Sequence, residues 1–182
     1  MTGSWLVVDG FPRERRQIMN GPMLNAYPDS IGGTLKDILD ILEMPEFANV
    51  FESFYILPSI FNTDLDRGFS VIDYGLNEQL ASEDDLRRLK ALGIRLKLDF
   101  ILNHASVLSK EFQDIIKNGQ DSEYKDFFIN WNTFWEGCGE MGPEGYIIPE
   151  KRYTERMFFR KPGLPILMVR FPDGTEVPYW NT

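Results

Sequence analysis

The chain has 182 residues, 43% hydrophobic and 26% charged, a globular composition with enough apolar material for a core. Its formal net charge of −9 argues against nucleic acid or an anionic membrane as a partner. The single cysteine, Cys138, excludes an internal disulfide framework and points to a reduced, cytoplasmic setting. A catalytic thiol would need a basic partner, and the only histidine, His104, is far away in sequence. No apolar run approaches a membrane span, and the start lacks the order of a signal peptide.

Residues 1–18 read poorly as structure, with a short apolar run from Trp5 to Val8, a Gly-Phe-Pro break and a charged stretch. Glu14-Arg15-Arg16 can be encoded by GAA-AGG-AGG, a purine-rich ribosome-binding sequence placed just before Met19. The segment is therefore expected to be a translated upstream leader with Met19 as the natural start; an N-terminal strand or arm is the alternative.

From Pro22 onward strands and helices alternate. Met23 to Tyr27 is a strand candidate, closed by Pro28-Asp29 and the glycines Gly32 and Gly33. Thr34 can cap a helix with Leu35, Ile38, Leu39 and Leu42 at core-facing spacing. Phe51 to Leu57 reads as a second strand, followed by a long loop through Asn62, Asp66 and Gly68. Ser82 and Asp85 form a capping-box pattern opening a helix with Leu86, Leu89 and Leu92 inside, stopped by Gly93. Ile94 to Leu102 is the third strand, apolar on both faces towards its end.

This series predicts an α/β fold with parallel strands. A doubly wound sheet and a (β/α)8 barrel begin alike, but no glycine-rich phosphate fingerprint follows the first strand. After His104 the alternation stops. Ser109 to about Trp131 is predicted helical, with Phe112, Ile115 and Ile116 on one face. A glycine-rich loop region runs from Gly137 to Gly145, and short strands are predicted at 157–160 and 165–171.

In a parallel barrel the working residues sit where strands end. Here those ends carry Tyr27 and Asp29, then Asp66 and Phe69, then Asn103 and His104. Carboxylates, a histidine and aromatic faces are the set a sugar pocket needs. Each has an ordinary structural alternative: His104 packed in the fold, Asp66 paired with Arg67, Phe69 packing its loop.

Asp99-Phe-Ile-Leu-Asn103-His104 resembles the third-strand signature of the α-amylase superfamily of glycoside hydrolases, family 13. Three further segments resemble its sucrose phosphorylase subgroup: Asp66 to Tyr74, Ser109 to Phe128 and Arg160 to Pro165. The resemblance implies the N-terminal portion of a (β/α)8 TIM barrel, its first three βα units, in residues 19–104. Residues 105–182 would then be a small α+β subdomain inserted after the third strand. It implies that Asp66 holds outer hydroxyls of a glucosyl unit, Phe69 walls the subsite and His104 bonds a hydroxyl nearer the reacting carbon. Asp99 and Asn103 would support them.

The run Glu150 to Lys161 reads as a solvated face, with Arg160 and Lys161 as the candidates for phosphate or acceptor contacts. No metal and no cofactor are expected. The implied partners are a sucrose-like α-glucoside and inorganic phosphate. Retaining enzymes of this type use two carboxyl groups about 5–5.5 Å apart. In the resembled family the nucleophile and the acid/base follow later strands, and no matching motif occurs after His104, so none is expected in this chain. Such a piece is expected to be inactive and marginally stable alone. The implied parent is a glycosyltransferase-type phosphorylase; a hydrolase or transglucosidase of the same superfamily and a non-catalytic truncated protein are the alternatives.

Overall fold

A computed structural model describes residues 21–64, 68–159 and 162–181. The leader expected at 1–18, Met19, Asp66, Arg160 and Lys161 lie outside the described residues. Strand β1 is Met23–Ala26 and helix α1 is Leu35–Leu42. The start of α1 is closed by Asp37, whose carboxylate accepts from the Gly33 and Thr34 amides at 2.9 and 3.0 Å and from the Thr34 hydroxyl at 3.1 Å. Those backbone donors hold the Asp37 carboxyl below its ordinary range. Leu35, Ile38, Leu39 and Leu42 are buried, as their spacing predicts.

Strand β2 is Ser53–Ile56. The long loop expected after it instead holds an antiparallel hairpin, β3 (Phe61–Thr63) with β4 (Val71–Leu76). Helix α2, Glu83–Ala91, opens with a reciprocal cap: Asp85 accepts from Ser82 N–H at 2.8 Å, and Ser82 Oγ accepts from Asp85 N–H at 3.2 Å. Strand β5 follows at Arg95–Lys97.

β1 and β2 pair in parallel from Met23↔Ser53 to Ala26↔Ile56, and β2 and β5 from Ser53↔Arg95 to Tyr55↔Lys97. The order is β1–β2–β5. Leu35, Ile38, Leu39 and Leu42 of α1 and Leu89 of α2 share one core with Phe54 and Ile56, so both helices cover the same face. Strands in sequence order with helices on one face are the arrangement of a barrel, whereas a doubly wound sheet carries helices on both.

The third strand is shorter than the run Ile94 to Leu102. β2 gives way to Leu57 and Pro58, and a proline has no N–H for a ladder. The chain instead leaves the sheet, with Asp99 N–H donating to Pro58 O at 2.8 Å and the Tyr74 hydroxyl to the Ile101 carbonyl.

After His104 the helix expected to reach Trp131 ends much earlier: α3 is Lys110–Asn118. Gly119 has φ 55°, and a Cβ there would sit 3.1 Å from the Phe171 ring, so the chain turns away. Helix α4 is Trp131–Phe134, and the glycine-rich region forms a hairpin of β6 (Gly139–Met141) and β7 (Ile147–Pro149). Helix α5 is Lys151–Thr154. Among the described residues no strand forms at 157–159; Met157 N–H donates to Thr154 O at 2.9 Å, and Phe158 is 89% exposed. β8 (Ile166–Arg170) and β9 (Glu176–Trp180) make a last antiparallel pair. Phe112 and Ile115 of α3 pack on Val169, Val177 and Tyr179, while Trp131, Trp135 and Ile147 form a separate cluster. Among the described residues no helix is long and apolar enough to cross a membrane.

The two barrel helices are joined by charge. Arg88 Nε donates to Glu43 at 2.8 Å and its Nη2 donates to Asp40 at 2.6 Å, while Lys36 bonds the same Asp40 at 2.6 Å. Lys36 first and Arg88 second hold Asp40 below the ordinary carboxylate range, and Arg88 does the same for Glu43. Lowered values mean stability that is present above the unfolded range and lost as pH falls through it. The thermal midpoint should therefore fall between about pH 5 and pH 3. Arg88→Met should flatten that fall in melts followed by circular dichroism. An equally steep fall in the variant would move the acid sensitivity elsewhere.

Candidate functional site

Parallel strands bring their carboxyl ends to one edge. β1 ends at Tyr27 and Asp29, both half-buried, with Tyr27 N–H donating to Ser30 Oγ at 3.0 Å and Ser30 N–H donating back to Tyr27 O at 3.1 Å. On β2 the side chains alternate, so Tyr55 points away from the helices that bury Phe54 and Ile56. Register places Asn25, Tyr55 and Lys97 in one row across that open face.

The Tyr55 hydroxyl donates to Asp99 Oδ1 at 2.6 Å, and Lys97 Nζ lies 3.6 Å from the centroid of the Tyr55 ring. The Asp99 carboxylate retains the phenolic proton and pushes Tyr55 above the ordinary tyrosine value, with burial adding to the shift. Asp99 is thus fixed at both ends, by its own amide on Pro58 and by Tyr55.

The β3–β4 hairpin stands beside this row. Tyr74 and Phe100 have centroids 4.5 Å apart, and Phe61 meets Tyr74 edge-on at 5.3 Å. Gly68, with φ 108°, is required where the hairpin loop passes the strand end. A Cβ there would lie 2.6 Å from Pro58 Cγ. Immediately after it, the Phe69 carbonyl meets His104 Nε2 at 2.9 Å. A carbonyl only accepts, so Nε2 carries the proton and Nδ1 is left as an acceptor. That Nδ1 is buried and has no hydrogen-bond partner among the described residues.

His104 and Asn103 line a cleft of about 210 Å³ with Phe127, Ile129, Tyr179 and Trp180 on its other sides. One wall is polar and the rest is aromatic or aliphatic, matching the two faces of a pyranose ring. A hollow of about 330 Å³ at the end of α3 is lined by exposed turn residues such as Lys117, Gln120 and Asp173, remote in sequence from the strand ends. The cleft, which takes Asn103 and His104 from the strand end, is the better candidate.

The structure therefore brings Phe69 and His104 together, sets Asn103 in the same cleft as His104, and holds Asp99 against Tyr55. The contact to Phe69 is through its carbonyl; its ring is 42% exposed. Asp66, Arg160 and Lys161 fall outside the described residues. Tyr55 was passed over in the sequence, although the period of two in FESFYIL separates it from Phe54 and Ile56. Trp180 and Tyr179 were passed over because β9 was.

The catalytic domain of α-amylase matches residues 26–150. The sucrose 6(F)-phosphate phosphorylase of Ilumatobacter coccineus is 57% identical over 168 residues, covering 92% of this chain and 32% of that protein. The sucrose phosphorylase of Streptococcus mutans is 34% identical, covering 91% of this chain and 32% of its own length. Among solved structures, sucrose 6F-phosphate phosphorylase from Thermoanaerobacter thermosaccharolyticum superposes with a TM-score of 0.75 at 35% identity, covering 91% of this chain and 31% of that one. The chain spans about a third of the length of these relatives.

Asp99→Asn should bring the Tyr55 phenol down towards the ordinary tyrosine value, read by NMR titration of 13Cζ-labelled tyrosine. The raised native value means that the contact's stability is present at neutral pH and lost only as pH rises through that value. An unchanged titration would remove Asp99 as the partner.

Proposed function

The chain belongs to the α-amylase catalytic-domain family, and on that footing we propose that it is the N-terminal part of a retaining α-glucoside phosphorylase. The observation that carries the reading is 57% identity over 92% of the chain to a sucrose 6(F)-phosphate phosphorylase. In this reading residues 19–104 are the first three βα units of the barrel and residues 105–182 are the small domain over its mouth. The enzyme transfers a glucosyl unit to phosphate, giving α-D-glucose 1-phosphate with retained configuration and releasing the fructosyl portion. The 57% identity to a sucrose 6(F)-phosphate phosphorylase supports a fructosyl portion that carries its own phosphate. Its setting is cytoplasmic, where phosphorylated sugars are found.

The chain's part in the reaction is recognition. His104, oriented by the Phe69 carbonyl, bonds a glucosyl hydroxyl nearer the reacting carbon. Asp66 accepts from outer hydroxyls, Phe69 closes the subsite, and Asn103 and Asp99 hold the strand end. Arg160 and Lys161 are the cations for phosphate on either the incoming group or the acceptor. The nucleophile and the acid/base, two carboxyl groups about 5–5.5 Å apart, belong to the part of the relatives' length that this chain does not span. The first forms the glucosyl-enzyme, and phosphate then displaces it.

Grafting residues 22–181 in place of the matching segment of the Ilumatobacter enzyme tests whether this chain supplies the recognition half of such a site. The chimera should release fructose 6-phosphate from sucrose 6F-phosphate only when phosphate is supplied, with a smaller rate on sucrose. His104→Ala should lower kcat/KM by about 10²-fold, the effect of one transition-state contact worth roughly 2–3 kcal/mol. Equal turnover without phosphate would replace the phosphorylase reading with a hydrolase.

A further inference from the structure

We propose that Asp64 and Ser106 are positioning residues, a latch that fixes the orientation and tautomer of His104. The significance of the latch rests on the reading of His104 as a sugar contact; its existence does not. Two loops meet at the site, one carrying Phe69 and the other carrying Asn103 and His104. Asp64 directly follows β3, and its amide donates to Ser70 O at 3.0 Å, closing its own loop around Phe69. Its carboxylate accepts the hydroxyl of Ser106 in the other loop. One residue therefore shuts the first loop and ties it to the second.

Ser106 is suited to be the other half. It is 2% exposed, and all its polar atoms are engaged. Its amide donates to Val71 O at 2.8 Å, its Oγ accepts from Leu108 N–H at 2.9 Å, and its carbonyl accepts from Ser109 N–H at 3.0 Å. The Phe69–His104 and Val71–Ser106 contacts both join residues 35 apart, so they are successive rungs between two segments running side by side. The first rung is a lone side-chain contact. The second is a backbone bond between two buried residues, reinforced by the charge-assisted bond from Ser106 to Asp64.

The consequence for His104 is chemical. While the rungs hold, the Phe69 carbonyl keeps the proton on Nε2 and Nδ1 presents a bare lone pair. If Ser106 loses its acceptor, a buried hydroxyl is left unsatisfied, and the loops relax to restore it. The carbonyl then leaves Nε2 and the ring exchanges tautomers.

His104 is the only histidine, so 15N-histidine labelling of the 182-residue chain reports on it alone. Spectra are recorded without sugar at about pH 8, where an ordinary imidazole is mostly neutral. The wild type should show one tautomer, with the proton at Nε2 and a directly visible Nε2–H resonance. Asp64→Ala and Ser106→Ala should lose that resonance and shift towards the averaged pattern of free imidazole. Ser106→Cys, nearly isosteric but a weak donor, should do the same without emptying the site. Asp64→Asn keeps an oxygen acceptor and should retain the wild-type signature. Circular dichroism melts establish that each variant compared is folded, and a purely structural role would leave the tautomer of a folded variant unchanged. A proton at Nδ1 in the wild type, or the wild-type signature persisting in folded Asp64→Ala and Ser106→Cys, would overturn the latch. No sugar is present, so this outcome is independent of whether the cleft binds a glucosyl unit.

Discussion

Parallel pairing of β1, β2 and β5 is the constraint on which the rest of this molecule depends, because it forces three carboxyl ends to the same edge. Antiparallel pairing of the same strands would send Asp99 and Tyr27 to opposite edges. The parallel order requires a crossover between strands, and α1 and α2 supply it on one face. Their burial of Phe54 and Ile56 leaves the opposite face to Asn25, Tyr55 and Lys97. The sheet is therefore apolar on one side and polar on the other, as a barrel wall around a polar mouth must be. β5 is an outer strand, and beside it Phe100 and Leu102 are 60% and 74% exposed. An edge with that much apolar surface is built to be covered by further strands.

Above the sheet, the site is made by chain segments that fold back on the strand ends. The β3–β4 hairpin is the support: its Tyr74 and Phe61 clasp Phe100, and its loop presents the Phe69 carbonyl to His104. Gly68 makes the close approach to Pro58 that brings this loop down. Beyond His104, α3 and the β8–β9 pair place Phe127, Tyr179 and Trp180 opposite the histidine. The resulting cleft is held by ring contacts and by hydrogen bonds, two of them to the carboxylates of Asp64 and Asp99.

Sequence patterning located what short-range physics determines. Thr34 alone and the Ser82–Asp85 pair marked the two helix starts; Asp37, three residues after Thr34, completes the first cap in the structure. The α1 stripe was equally plain, whereas in α3 Phe112 and Ile115 are buried and Ile116 is 37% exposed. The third strand was overextended because Phe100 to Leu102 are apolar for another reason: they meet the hairpin and the open edge. The expected α3 runs past Gly119, a glycine that takes the positive φ of a helix stop in the structure. The Pro172-Asp173-Gly174 turn between two β-rich runs was a readable hairpin signal for β8 and β9. For the site, resemblance selected Phe69 and His104, and the structure joins them. No local pattern could pair Tyr55 with Asp99 or Asp64 with Ser106, since those contacts span 44 and 42 residues.

The most direct test of the account is backbone amide shift mapping of the chain titrated with α-D-glucose 1-phosphate. A glucosyl site at the strand ends predicts saturable shifts at Tyr27, Phe69, Asn103 and His104, continuing to Phe127 and Trp180 across the cleft, with α1 and α2 unmoved. A folded chain whose shifts cluster away from those strand ends, or that shows none at all, would contradict it.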